Sequence, residues 1–280
     1  MKFKIVTDSS SDVLKLDGVD FESAPLKIIT ADREFTDDEK LDVKDMAEFL
    51  SSYKGKSSTS CPNQSDWLNA FGDAERIFCV TITATLSGSY NSAVLAKQMY
   101  EEMYPDRKVY VMNSLSTGPE MALIIDKMRE MILAGAQFED ICEEVAEYSK
   151  NTGLIFVLQS MRNLANNGRV SGIAARMAGI LGIRAVGKAS AKGDLEMLEK
   201  CRGEAKTLQF IVKTLGDEGL VGGKVKIAHC LNEKTALLLK EMILKAFPNV
   251  STEIYESRGL CSFYAENGGL LIGFEKNACN

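Results

Sequence analysis

The chain of 280 residues has one histidine, one tryptophan and five prolines. A single histidine excludes mechanisms that need two imidazoles, and its alternating setting, KVKIAHC, favours a structural role for His229 at a strand end. No run approaches the roughly 18 apolar residues of a membrane-spanning helix, so integral membrane association is excluded. The seven cysteines contain no CxxC pair, which argues against a zinc cage or a disulfide framework and predicts free thiols.

The charge pattern and the N-terminus narrow the class of protein further. The net charge is −6, and the lysines and arginines are scattered instead of forming a basic stripe, so nucleic acid is not the expected partner. The first residues lead directly into a strand pattern without the features of a signal peptide. Together with reduced cysteines this predicts a cytoplasmic protein. Neither GxxxxGK[ST] nor GxGxxG occurs, so no nucleotide cofactor is expected. The cysteine spacing likewise predicts no metal site.

The first half of the chain alternates strand-like and helix-like runs. Short apolar runs typical of buried strands lie at 3–7, 77–82, 108–112 and 154–158. Apolar residues at spacings of three and four predict helices at 43–53, 64–72, 89–104, 118–134 and 138–150. This alternation predicts an α/β domain with a parallel sheet over residues 1–160.

The pattern changes after residue 160. Residues 163–182 resemble two short helices around a glycine turn, and 183–198 read as a hairpin with AKGD at its turn. A helix at 204–215, a strand at 224–230, a helix at 233–246 and strands near 251–256 and 269–274 follow. Residues 161–280 are therefore predicted to form a second, α+β domain with a mixed or antiparallel sheet.

Two polar loops are candidate binding segments. The sequence TDSSSD follows the first strand, so Asp8 and Ser9 lie either near a ligand crevice or in an ordinary helix-capping turn. In SSTSCPN, Pro62 favours an extended chain that exposes the hydroxyls of Thr59 and Ser60, and the alternative is a polar loop ending in a helix cap.

The third candidate is a strand that runs through TLSG into an amphipathic helix. The backbone amides of Ser87, Gly88 and Ser89 would start that helix, with the positive end of its dipole behind them. Such a corner attracts anions, and Gly88 lets a ligand approach the backbone closely. Ser87 as a nucleophile would need a base, and the one histidine lies far along the chain.

Five segments in order give the chain a resemblance to a known family. They are IVTDSSSD, TSCPN, LSGSYNSA, NNGRVS and CRGEAKTL. In these segments and their spacing the chain resembles the DegV family of bacterial fatty-acid-binding proteins nearly end to end. The resemblance implies two α/β domains with a long-chain fatty acid in a tunnel between them, and no cofactor or catalytic residue.

The resemblance also assigns residues. It implies that Thr59 and Ser87 hold the carboxylate, and the two loops described above add Ser60 and Gly88 as candidate ligand contacts. It further implies a partner fatty acid kinase that converts the bound acid into an acyl phosphate. The arginines Arg169 and Arg202 would then contact the partner or the phosphate, and the alternative is that both are ordinary solvated side chains.

The chain departs from the family pattern at three positions. Tyr264 stands where the family has a head-group histidine, Cys61 where it has glutamine, and Asn167 where it has the first glycine of a Gly-Gly-Arg element. A phenol can donate one hydrogen bond to a carboxylate but stays neutral at pH 7, so Tyr264 is expected to assist at the head group.

Two other classes of function stay open at this point. One is an enzyme acting on a small acid or a phosphate ester at the same corner, with Asp8 as acid or base. The other is a protein-interaction module whose tunnel is closed by bulky side chains.

Overall fold

The computed structural model describes residues 2–170 and 182–276. The strands are β1 (Phe3–Asp8), β2 (Asp20–Ala24), β3 (Lys27–Ile29), β4 (Glu34–Thr36), β5 (Ser58–Ser60), β6 (Arg76–Thr81), β7 (Lys108–Asn113), β8 (Thr152–Leu158), β9 (Ile183–Ala189), β10 (Leu195–Arg202), β11 (Gly223–His229), β12 (Val250–Glu256) and β13 (Leu270–Glu275). The helices are α1 (Val43–Ser52), α2 (Gln64–Phe71), α3 (Ser89–Met103), α4 (Gly118–Leu133), α5 (Phe138–Tyr148), α6 (Arg162–Asn166), α7 (Glu204–Asp217), α8 (Glu233–Ala246) and α9 (Gly259–Ala265). No helix among these residues is both long and apolar enough to cross a bilayer.

The N-terminal half contains the predicted parallel sheet. Its order is β2-β1-β6-β7, and every neighbouring pair is parallel. Strands β1 and β6 are buried on both faces because helices cover both, with Trp67, Phe71 and Tyr100 packed on one side. The edge strand β2 was not predicted, because its side chains alternate between exposed and partly buried positions instead of forming an apolar run.

The C-terminal half contains a six-stranded mixed sheet, as predicted. Its order is β10-β9-β8-β13-β11-β12, and β11 and β12 are the parallel pair. Helices α7 and α8 cover one face, where Leu208, Ile211 and Leu239 pack on Ile155 and Ile272. Strands β9 and β10 form the predicted hairpin, whose turn is closed by the Ser190 amide donating to the Asp194 carbonyl (2.9 Å).

One strand was assigned to the wrong sheet. The run at 154–158 was grouped with the N-terminal parallel strands, but β8 pairs antiparallel with both β9 and β13 in the second sheet. All seven of its residues are buried, and a strand buried on both faces has the same apolar sequence in either type of sheet. The domain division at residue 160 stays a prediction, and this pairing favours a second domain that begins at Thr152. Of the two short helices predicted over 163–182, α6 is present and residues 171–181 lie outside the described part of the chain.

Helix α4 lies between the two sheets. Its residues Met121, Ile124 and Ile125 belong to the core beneath the parallel sheet. Its opposite side meets β13 so closely that a Cβ at Gly273 would lie 2.5 Å from the Glu120 amide nitrogen. Asp126 also forms an ion pair with Lys226 of β11 (2.9 Å). The two sheets therefore share one helix.

A small antiparallel sheet, β4-β3-β5, was not predicted because each of its strands has only three residues. It packs on α1 and on Phe263 of α9. In this sheet Thr59 pairs with Ile28, so the SSTSCPN segment begins as a strand instead of a free loop.

Candidate functional site

A cavity of about 280 Å³ lies between the parallel sheet and the mixed sheet. The N-terminal half lines it with Leu26, Thr59, Ser60, Cys61, Ile82, Leu86, Ser87, Gly88 and Thr117. The C-terminal half lines it with Leu154, Phe156, Leu158, Leu164, Arg169, Leu195, Leu260, Cys261, Tyr264, Ala265 and Leu271. Most of these side chains are apolar, which is the usual composition of a pocket for a hydrophobic ligand.

Strand β5 and the start of helix α3 bring polar groups to this cavity. Thr59 and Ser60 come from β5, and Ser87 and Gly88 from the turn that follows β6. A Cβ added at Gly88 would lie 3.4 Å from the Cys61 sulfur, so the two segments are in contact. No side chain caps α3, but the Ser89 amide donates to the Ser87 hydroxyl (3.3 Å) and is satisfied within the turn.

Tyr264 reaches the same polar group from the other end of the chain. Its hydroxyl lies 2.8 Å from the Thr59 hydroxyl, and either group is able to donate. Burial raises the pKa of Tyr264, while the hydrogen bond to Thr59 opposes the rise. The phenol is therefore neutral at pH 7 and available as a hydrogen-bond donor.

Arg169 is the charged residue of the cavity wall among the described residues. Its Nε donates to the Leu86 carbonyl (3.1 Å), and its guanidinium also donates to the Asn167 carbonyl. These bonds fix the guanidinium beside the Ser87 turn. Arg202 is exposed at the end of β10 and does not line the cavity.

The tip of the β9–β10 hairpin closes onto the loop before Ser87. The Thr85 hydroxyl donates to the Gly193 carbonyl (2.7 Å), and Gly193 has a φ of +84°. A side chain at Gly193 would also collide with Thr83, so the glycine permits this close approach.

Asp8 and Ser9 lie behind the cavity wall, outside its lining. The Asp8 carboxylate is fully buried and accepts from the Ile82 amide (2.9 Å), the Ser89 hydroxyl (2.5 Å), and the amide (3.2 Å) and hydroxyl of Ser10. Burial raises its pKa and these hydrogen bonds oppose the rise. The Ser9 hydroxyl accepts from the Leu26 amide (3.0 Å). Because the Asp8 carboxylate is fully buried outside the cavity lining and accepts four hydrogen bonds from the chain, the geometry favours a structural role over an acid or base at the cavity.

Comparison with known proteins decides the family. The sequence model of the DegV family, described as "Uncharacterised protein, DegV family", matches residues 2–277. The chain belongs to the DegV family. A DegV domain-containing protein of Streptococcus pneumoniae is 44% identical over 279 residues, which cover 98% of this chain and 99% of that protein.

Two solved DegV-type structures are also similar. One is a DegV family protein from Eubacterium eligens loaded with heptadecanoic acid, with 43% identity, a TM-score of 0.96, and coverage of 98% of this chain and 99% of that one. The other is the Streptococcus pneumoniae Fatty Acid Kinase B3 protein loaded with linoleic acid, with 44% identity, a TM-score of 0.96 and the same coverage.

Asp12 and Asp37 form a buried polar cluster with the start of α9, and the sequence did not predict it. The Asp37 carboxylate accepts from the amides of Gly259 and Leu260 (both 2.8 Å), at the start of α9. One Asp12 oxygen accepts from the Arg258 amide (2.8 Å), while the other is buried without a partner. The cluster joins residues more than 220 positions apart and fixes the helix that carries Tyr264. Only the acidic residues themselves were visible in the sequence, and nothing in their spacing pointed to α9.

Asp12 is expected to give this protein a pH-dependent stability. Burial raises its pKa from an ordinary 3.8 to about 8, helped by the nearby Asp37 carboxylate and opposed by Arg258 and its amide. Between these two values the folded chain keeps a proton that the unfolded chain releases, so stability falls as pH rises. In Asp12→Asn this dependence is absent. We therefore expect wild type to lose up to about 1.4 kcal/mol per pH unit relative to Asp12→Asn between about pH 4 and pH 8.

Urea unfolding of both proteins across this pH range measures the difference. Asp8 and Glu120 are also buried with raised pKa values, but they titrate in both proteins and cancel in the comparison. Asp37 is also buried with a raised pKa, and its charge beside Asp12 is part of the difference that is measured. The exposed Asp106→Asn variant is the control and should follow wild type. A constant difference between wild type and Asp12→Asn would contradict the assignment.

The histidine and the cysteines match the sequence interpretation. Among the described residues six cysteines are free thiols, and Cys61 and Cys261 line the cavity. Burial raises the pKa of the Cys61 thiol, which keeps it protonated at neutral pH. His229 ends β11, accepts from the Asn232 amide (3.4 Å), and has its pKa lowered by burial.

Proposed function

We propose that this protein binds one long-chain fatty acid in the cavity between its two sheets and carries it without transforming it. The observation that carries the proposal is an apolar cavity with one cluster of hydroxyl groups, at Thr59, Ser60, Ser87 and Tyr264, beside Arg169. The fatty acids in the structures of the two relatives, at 43% and 44% identity, support the same ligand class.

The energetics suit an acyl chain. Burial of a methylene is worth about 0.8 kcal/mol, so roughly 14 methylenes give on the order of 11 kcal/mol before the costs of immobilisation. Such a gain leaves useful affinity even when half of it is lost. The polar cluster then selects ligands that end in an acid.

In the proposal the carboxylate lies between Thr59 and Ser87. Tyr264 donates its proton to the Thr59 oxygen, which leaves the Thr59 proton free for the ligand. Ser87 donates from the other side, and Ser60 and the Gly88 backbone complete the contact. Charge-assisted hydrogen bonds of this kind are stronger than those between neutral groups.

We further propose that a fatty acid kinase is the partner, and the name of the Streptococcus pneumoniae relative, Fatty Acid Kinase B3 protein, supports this proposal. A carboxylate oxygen would attack the terminal phosphorus of the kinase's phosphate donor, and the donor's P–O bond would break, giving an acyl phosphate. In this scheme Arg169 would face the new phosphate, and the exposed Arg202 would contact the partner. The carrier itself supplies no catalytic residue in this scheme, and Asp8 and Ser9 support the site from behind.

Native mass spectrometry of the purified protein, followed by extraction of the ligand, tests the proposal directly. We expect one fatty acid per chain, or uptake of one when the empty protein is mixed with fatty acid. A protein that arrives empty and refuses every added fatty acid would overturn the proposal and favour an interaction module.

Ser87→Ala is expected to weaken fatty-acid binding by roughly 1–2 kcal/mol, because a donor to a charged group is lost. Displacement of a fluorescent fatty acid measures the change. Ser65→Ala, at the exposed start of α2, is the matched control and should bind like wild type. Unchanged affinity in Ser87→Ala would place the carboxylate elsewhere.

A further inference from the structure

The floor of the cavity is the inner face of the mixed sheet. Alternate residues of β8, Leu154, Phe156 and Leu158, point into the cavity, while Ile155 and Val157 point to the helices behind. The lining includes two aromatic residues among the described part of the chain, and Phe156 is the one on this floor.

Phe156 lies in a row that crosses four strands. It pairs with Leu271 of β13 on one side and with Gly187 of β9 on the other, and Gly187 in turn pairs with Met197 of β10. Paired residues share a face of the sheet, so the row is Leu271, Phe156, Gly187 and Met197. The row thus has one position without a side chain, directly beside its aromatic ring.

The ring of Phe156 occupies that position. A Cβ on Gly187 would lie 2.6 Å from Cε2 of Phe156, closer still to Cζ, and 2.5 Å from the Glu196 carbonyl oxygen. Gly187 does not have a positive φ, so the backbone conformation does not demand glycine there. The absence of a side chain at Gly187 therefore leaves room for the Phe156 ring, which packs over β9 instead of projecting into the cavity.

We infer that Gly187 and Phe156 together determine which acyl chains the cavity accepts. This inference rests on the proposed function. Phe156 is the specificity-determining residue because its ring forms part of the surface that the acyl chain touches. Gly187 is a positioning residue that acts through Phe156: any side chain at 187 forces the ring off β9 and into the space for the ligand.

The test is uptake from an equimolar mixture of fatty acids of graded length and unsaturation, with the bound acids identified by mass spectrometry. Gly187→Ala is expected to shift the bound population toward shorter chains, with affinity falling about fourfold for each methylene that the raised ring displaces. Phe156→Leu is expected to shift it toward longer or bulkier chains. The matched control is Gly222→Ala, since a Cβ at Gly222 makes only ordinary contacts of 3.6 Å with Asn249, outside the cavity.

A Cβ at Gly187 would meet both the Phe156 ring and the Glu196 carbonyl oxygen. The double variant Gly187→Ala/Phe156→Leu shows which of these two contacts causes the shift in the bound acids. Since leucine removes the ring, the double variant should regain the longer chains that Gly187→Ala loses. If the profile of Gly187→Ala equals that of wild type, or if the double variant fails to recover, the inference is overturned. If Gly187→Ala does not fold, the test rests on Phe156→Leu alone. A profile of bound fatty acids in Phe156→Leu that equals that of wild type would then overturn the inference. Absence of any bound acid in wild type would instead refute the proposed function.

Discussion

Asp8→Ala is expected to destabilise the protein by about 2–6 kcal/mol. The Asp8 carboxylate is fully buried and accepts two backbone amides, Ser10 (3.2 Å) and Ile82 (2.9 Å), together with the hydroxyls of Ser10 and Ser89. Each buried donor left without an acceptor costs about 1–3 kcal/mol. The two amides cannot turn toward other acceptors, while the two hydroxyls can rotate.

The same substitution should also weaken ligand binding. Ser89 begins α3 and holds Asp8 (2.5 Å), and the Ser87 hydroxyl accepts from the Ser89 amide, so loss of Asp8 releases the turn that carries Ser87. Urea unfolding and fatty-acid displacement measure the two effects, with the exposed Asp106→Ala as control. A variant that keeps its stability would show that the carboxylate is dispensable to the fold. If such a variant also lost a turnover that Thr59→Ala retains, the enzyme hypothesis would be favoured instead.

The second large effect is expected from Asp37→Ala. Asp37 is 2% exposed, and its two oxygens accept the Gly259 and Leu260 amides at the first turn of α9. Removing the carboxylate leaves both amides unpaired in the interior, at about 1–3 kcal/mol each, so a loss of about 2–6 kcal/mol is expected. Within residues 2–170 and 182–276, no other side chain accepts from these two amides.

Asp37→Ala should also change the affinity for the ligand, because Leu260, Cys261 and Tyr264 of α9 all line the cavity. We expect weaker fatty-acid binding together with a lower unfolding midpoint. Asp32→Ala removes an exposed carboxylate from the neighbouring loop and serves as the control. Equal midpoints for Asp37→Ala and Asp32→Ala would show that the α9 amides find other acceptors.

Several parts of the fold could be predicted because their causes are local. Strands β6 and β7 are apolar runs that are followed directly by the helices α3 and α4, and that order implies a parallel sheet. The Ser87 turn was recognised because a buried strand led directly into a helix. Strand β8 was misassigned because its apolar sequence indicates burial on both faces but does not indicate which strands pair with it.

The remaining features depend on contacts between distant residues. The Thr59–Tyr264 hydrogen bond joins positions 205 apart, and the Asp37 bond to Leu260 joins positions 223 apart. Tyr264 entered the sequence analysis only through the family resemblance, and Asp37 was not identified at all. Short strands such as β3 and β5 have too few residues to show a period, so the sheet that holds Thr59 was missed.

Helix α4 has a consequence for how a ligand enters and leaves. Rotation of one sheet away from the other would pull α4 from β13, break the buried hydrogen bond from Thr152 to Glu120 (2.7 Å) and separate Lys226 from Asp126. Such a hinge motion would disrupt a continuous part of the core, at a cost comparable to the few kcal/mol that keep a domain folded. At the tip of the β9–β10 hairpin, by contrast, the described hydrogen bond to the other half of the chain is the one that the Thr85 hydroxyl donates to the Gly193 carbonyl. We therefore expect fatty acids to exchange through a local opening at the hairpin tip while the two sheets stay together and unfold as one cooperative unit.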